Sequence, residues 1–269
     1  MNISLFNREL RSNLKSLLVW TAVITFLITA TMSLYSIFLE NNSKILAMIS
    51  ILPEGTLQFK GVSDVNDLFS VLGFYSANNV IYMLVLGSIY SIVLSSNILL
   101  KEEYGRTAEF LLSWPVTRDQ VYFSKLLVVV IYILVLNVVT TAAGYISLET
   151  CKKEAYSVDA FLILSMYTLL LHLFFASLGI FMSVRVKKPR PITTVSIALV
   201  MVLYFISTIS NITDNLSWAG YISPYKFIDI DVVNPEYRIS LVNILYFTGF
   251  SFLFTGVSRR MYLRKDIYL

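Results

Sequence analysis

Residues 101–125 read KEEYGRTAEFLLSWPVTRDQVYFSK, and the organisation of the rest of the chain turns on this stretch. It is the longest charge-dense segment in a chain otherwise built of apolar runs, and it lies between two of them. At helical spacing Phe110, Leu111, Trp114, Val121 and Tyr122 supply apolar surface, while Glu102, Glu103, Arg106, Glu109, Arg118, Asp119 and Lys125 supply charge. Pro115 cannot sit inside one continuous helix, because it lacks an amide hydrogen and its ring clashes with the preceding turn. The expected object is two short amphipathic helices meeting near residues 113–115, with Thr117 capping the second. Such an object lies on a membrane surface and offers its charged face to an aqueous compartment.

The flanking runs make this a membrane protein. The 269 residues are 57% hydrophobic, with a mean hydropathy of +0.71. Only 14% are charged, against about 25% in a typical soluble domain. Leu17–Leu39 carries no charge and at 1.5 Å per residue is long enough to cross a hydrocarbon core of about 30 Å. Six such spans are expected, at about 17–39, 79–100, 126–148, 160–184, 191–213 and 239–258. The first is preceded by an amphipathic surface helix, an elbow bearing Arg8, Glu9, Arg11 and Lys15. Ahead of the second, Phe69, Phe74 and Tyr75 read as interfacial, with Asn78 and Asn79 at the outer rim. Segments 40–77 and 214–238 are the two larger polar stretches of the outer side. The fold class is therefore all-α, a polytopic membrane protein forming a single domain over 1–269.

Basic residues orient it. Fifteen of the 21 Lys and Arg lie before the first span, in 101–125, in the 185–190 connection and in the tail; Lys44, Lys60, Lys152, Lys153, Lys226 and Arg238 lie on the opposite side. Basic loops stay inside, so both termini and the 101–125 segment are expected in the cytosol.

Several chemistries are excluded. No GxxxxGK[ST] phosphate loop and no HExxH pair occurs. One Cys, Cys151, and one His, His172, leave no material for zinc or haem sites. None of the six runs contains Asp, Glu, Lys or Arg, which argues against an ion-coupled carrier. His172 sits near the middle of the fourth run and has two readings: a neutral imidazole bonded to a neighbouring span, or a polar point on a translocation path. Asn97, Asn137, Thr140 and Thr141 are expected to bond between helices.

The ordered features of 101–125 resemble the cytoplasmic coupling region of permease subunits of type-2 ABC exporters. They fall on Glu102 and Glu103, Gly105, Thr107, Glu109, Leu111 and Leu112, Pro115, Val116, Thr117, Arg118 and Lys125. Arg106 departs from the pattern by separating Gly105 from Thr107. The resemblance extends to the basic elbow LFNRELRSNLKSLLVW, to YISPYKFID before the last span and to the tail. It implies a bacterial plasma-membrane permease with no catalytic site of its own. ATP and Mg would be bound by a separate ABC ATPase, two copies of which would sit beneath two permeases, identical or siblings. Glu102, Glu103, Glu109 and Arg118 would contact the ATPase, and the elbow would complete the groove that receives it. Without charges in the spans, the expected cargo is hydrophobic or amphipathic, an antimicrobial or cytolytic peptide first among them; membrane lipid is the surrounding partner, and nucleic acid is not one. The competing reading is a membrane scaffold or sensor that transports nothing.

Overall fold

A computed structural model describes residues 3–49, 65–104, 116–186, 190–212, 214–234 and 237–265. Every regular element among them is helical. In chain order these are α1 (Ile3–Ser33), α2 (Tyr35–Glu40), α3 (Asn42–Ile49), α4 (Val71–Tyr82), a π-helical turn (Met83–Gly87), α5 (Ser88–Tyr104), α6 (Arg118–Cys151), α7 (Val158–Arg185), α8 (Arg190–Ile212) and α9 (Leu241–Arg264). Short 3₁₀ helices at Val65–Phe69, Asp214–Ile222 and Pro224–Phe227 complete the set. Six helical stretches are long and apolar enough to cross a membrane: Ile3–Glu40, Val71–Leu100, Arg118–Cys151, Val158–Arg185, Ile192–Ile212 and Leu241–Arg264.

The first helix corrects the expectation of an elbow set apart from the first span. Leu5, Glu9, Leu17, Ile24, Ile28 and Met32 are its buried residues, spaced by one or two helical turns so that they fall in one stripe from one end to the other. One unbroken stripe packs as one helix, and α1 lies along α6.

The helix that carries the second span begins at Val71, ahead of the apolar stretch expected at about 79–100. Ser70 accepts a bond from Gly73 N and starts α4; a Cβ at Gly73 would meet Asp67 O at 2.0 Å, so the turn into the helix requires glycine. Phe74, Tyr75 and Asn79 are buried in the bundle. Tyr75 packs edge-on against Phe161 of α7.

Burial grades the spans. In its apolar window the second span is 78% buried and the last only 11%. The α5 and α7 pair forms the centre, where small residues allow close approach: Ser88, Ser91, Ser95 and Ser96 on α5 are buried, as are Ser177 and Ser183 on α7. Gly179 is the tightest point, since a Cβ there would lie 2.1 Å from Ser95 Oγ and 2.7 Å from Ile92 O. The hydroxyls of Ser91, Ser95, Ser96, Ser177 and Ser183 bond back to carbonyls of their own helices, as Ser91 does to Gly87 O at 2.8 Å, which satisfies those donors in the dry interior.

At the end remote from the termini, the Ser-Pro element folds into the bundle. Ser223 Oγ donates to Leu203 O at 2.7 Å and accepts from Tyr225 N. Tyr225 is buried and donates to Leu84 O at 3.2 Å, while Ser240 N reaches Tyr167 OH at 2.8 Å.

Candidate functional site

The start of α6 organises the end of the bundle that holds both termini. Thr117 and Gln120 form a capping box: Thr117 Oγ1 accepts from Gln120 N, and Gln120 Oε1 accepts from Thr117 N at 3.1 Å. Two of the orphan amides of the first turn are thereby satisfied. Thr117 thus caps a helix as the sequence suggests, but that helix is the long third span rather than a short surface piece.

From this cap, side chains reach outward to α9 and inward to α1. Arg118 Nη1 donates to Lys265 O at 2.7 Å and to Leu263 O at 3.3 Å, bonding to carbonyls at the end of α9. Asp119 pairs with Arg259 Nε at 2.9 Å, and the same guanidinium lies over the Phe123 ring. Tyr122 OH is 2.6 Å from Ser258 Oγ and donates to Thr255 O at 2.9 Å.

Lys125 points the other way. Its Nζ donates to Ile98 O at 2.5 Å and lies 4.0 Å from Oε1 of Glu9, with both side chains about 1% exposed. Glu9 also meets the half-exposed Arg8 at 3.3 Å. Tyr132 OH donates to Leu10 O, and Trp20 packs against Tyr90 with ring centroids 6.0 Å apart. Three helices, α1, α5 and α6, are thus held together by polar groups where the 101–125 segment leaves and rejoins the bundle.

The other residues singled out in the sequence are less completely placed. Glu102 and Glu103 lie in the last turn of α5. Gly105, Thr107, Glu109 and Pro115 lie outside the described residues. Arg8, Arg11 and Lys15 are exposed on α1. Asp119, Tyr122, Ser258 and Arg259 were missed, because the pairing of α6 with the end of α9 leaves no local signal. Glu9 and Lys125 were both singled out in the sequence, but not as partners; the sign of their burial is that each replaces an apolar residue in a helical stripe, Leu5-Glu9-Leu17 in one and Val121-Lys125-Val128 in the other.

His172 is fully buried at mid-span. Its Nε2 lies 2.8 Å from Met83 O, in the π-helical turn, and its Nδ1 lies 2.9 Å from Asn137 Nδ2. With Nε2–H donating and Nδ1 accepting, one neutral tautomer satisfies both bonds and joins three spans. Gly87 makes the room, since a Cβ there would lie 2.2 Å from Nε2. Asn97 also bonds between helices, to Thr193 Oγ1 at 3.2 Å. Thr140 instead bonds to Leu136 O of its own helix. Among the described residues, no three His, Cys, Asp or Glu side chains converge as a metal site would require.

A ladder of aromatic rings follows the groove between α7 and α9. Tyr221 meets Phe227, Phe227 stacks on Tyr246 at 3.9 Å, and Tyr246 meets Phe250 at 4.8 Å. Phe250 meets Phe254, Phe254 meets Phe181 at 5.5 Å, and Arg185 lies 5.1 Å over the Phe181 ring. The spacing 246, 250, 254 puts three rings on one face of α9. On the other side of α9, an apolar crevice of about 300 Å³ opens among α6, α7 and α9, with Ser177, Thr248 and Ser251 in its wall.

A family model described as ABC-2 family transporter protein matches residues 3–267, nearly the whole chain. The chain belongs to the ABC-2 transporter family. Among curated proteins none matches it. As an ABC-2 permease it is the membrane component of an ABC transporter, not its catalytic subunit, and membership of the family implies an ABC ATPase as partner. In this permease the capped start of α6 and the buried Glu9 and Lys125 lie at the base of the segment that resembles a coupling region.

Proposed function

We propose that this ABC-2 permease is the export subunit of a bacterial plasma-membrane transporter, driven by two ABC ATPase chains that bind ATP and Mg at the cytosolic end of a permease dimer. The observation that carries the reading is the convergence of both described chain ends and both flanks of the 101–125 segment on one end of a six-span bundle. That end carries most of the basic residues, which supports a cytosolic orientation. Glu102, Glu103, Glu109 and Arg118 contact the ATPase in this reading; Arg118 does so from a position already bonded to the end of α9, so α9 moves with it.

The cargo is hydrophobic or amphipathic, a membrane-active peptide being the first candidate. The aromatic ladder between α7 and α9 supports this, since stacked rings offer an apolar body interrupted only by Tyr hydroxyls and, at one end, by Arg185. His172 is a structural tie between spans rather than a point on the route, because both ring nitrogens are engaged.

Co-expression with candidate ATPases, purification through a tag on this chain and ATP hydrolysis in lipid with a panel of amphipathic peptides tests the reading. A stable complex whose hydrolysis responds to one peptide, together with ATP-dependent uptake of that peptide into inverted vesicles, is the expected result. If no ATPase co-purifies, the scaffold or sensor reading replaces it.

A further inference from the structure

We propose that Lys125 is a positioning residue that locks both ends of the 101–125 segment to α1, so that the base of the segment and the N-terminal helix move as one body. This deepens the coupling reading above and draws its functional meaning from it.

Ile98 lies just before the segment begins and Lys125 is its last residue. The bond from Lys125 Nζ to Ile98 O therefore closes the segment at its root. The same ammonium faces Glu9 on α1. Glu9 and Lys125 are the only Asp, Glu, Lys or Arg side chains fully buried among the described residues.

A buried ion pair is a poor device for stability alone, because desolvation offsets most of the attraction and an apolar pair of similar volume often serves as well. What it does supply is direction: three donors on one nitrogen and a fixed carboxylate select one register among α1, α5 and α6, where apolar contacts would let the helices slide. The neighbouring contacts have the same effect. Tyr132 of α6 ties Leu10 of α1, and Trp20 of α1 packs on Tyr90 of α5. A push delivered to the segment therefore reaches α1 through its root and does not depend on contact between the ATPase and α1.

The test uses the full chain in nanodiscs, with and without its co-purified ATPase, comparing Lys125→Met, Lys125→Arg and the double variant Glu9→Gln/Lys125→Met. The double variant removes both charges, so a change seen in it cannot come from a buried carboxylate deprived of Lys125, and it guards against simple misfolding. Amide exchange is read first. In Lys125→Met and in the double variant, exchange in 3–15 and 96–104 should rise together by fivefold or more while α7 is unchanged, and Lys125→Arg should stay near wild type. A change confined to the first turns of α6, or none, would overturn the clamp.

ATP hydrolysis is read second. With equal amounts of ATPase bound, the part of the rate that depends on the permease should fall at least fivefold in the double variant even where its melting temperature is close to wild type. An unchanged rate at equal occupancy would also overturn the proposal. If the wild type binds no ATPase, the coupling reading fails and the exchange result alone decides the clamp.

Discussion

Glu9 and Lys125, far apart in sequence, meet with Nζ 4.0 Å from Oε1, and each side chain is about 1% exposed. Neither charge has water to fall back on. Removing one partner takes a counter-charge from the other, which costs up to ~3–5 kcal/mol where a buried charge loses all compensation; Arg8, 3.3 Å from the same Glu9 oxygen, offsets part of that cost on the Glu9 side. Glu9→Gln and Lys125→Met are each expected to lower the thermal unfolding temperature of the lipid-reconstituted protein by several degrees. The double variant should recover most of that loss, and additive losses would show that the two groups do not interact.

Gly179 and Gly256 are both helical glycines in spans, yet they should respond oppositely to alanine. A Cβ at Gly179 meets Ser95 Oγ at 2.1 Å and the Ile92 carbonyl at 2.7 Å, whereas nothing lies within 4 Å at Gly256. Gly179→Ala must push α5 and α7 apart and should cost ~1–3 kcal/mol. Gly256→Ala should be neutral or stabilising by up to about 1 kcal/mol, the ordinary helix-propensity gain. Paired thermal unfolding curves check the contrast.

Gly87 exists to seat His172. Its missing Cβ would overlap Nε2 at 2.2 Å, so Gly87→Ala should displace the imidazole from Met83 O and Asn137 and destabilise by roughly 1–3 kcal/mol. In a His172→Ala background the same change should cost much less. Equal costs in both backgrounds would mean that the clash is not with the imidazole.

Reversing charge in the 101–125 segment tests ATPase docking directly. Glu103→Lys with Glu109→Lys is expected to reduce recovery of the ATPase by about tenfold or more, equivalent to about 1.4 kcal/mol, while the permease still inserts and remains monodisperse. Undiminished recovery would exclude these carboxylates from the contact.

Much of the architecture was legible in the chain because hydropathy is a local property. A run such as Leu126–Leu148 must form a helix to satisfy its backbone in lipid, whatever its neighbours are. Thr117 was legible for a similar reason, since its capping box with Gln120 closes within one turn. Asn97 and Asn137 were recognisable as interhelical because an amide in a span needs a partner. The partners of the uncharged lead-in to the second span were not legible: Phe74 and Tyr75 pack on Tyr35 and Phe161, which lie far off along the chain.

By itself the sequence determined that this chain is a six-span helical membrane protein, where its longest charge-dense segment falls and where along the chain the basic residues gather. Those follow from composition and period, each read within a few turns of helix. Tertiary structure alone decided that α1 runs unbroken from Ile3, that Arg118 bonds the end of α9, and that Glu9 and Lys125 are buried together. The physical reason is distance along the chain: a charged residue on an apolar stripe is a liability until folding brings it a partner, and no local pattern says which residue that partner will be.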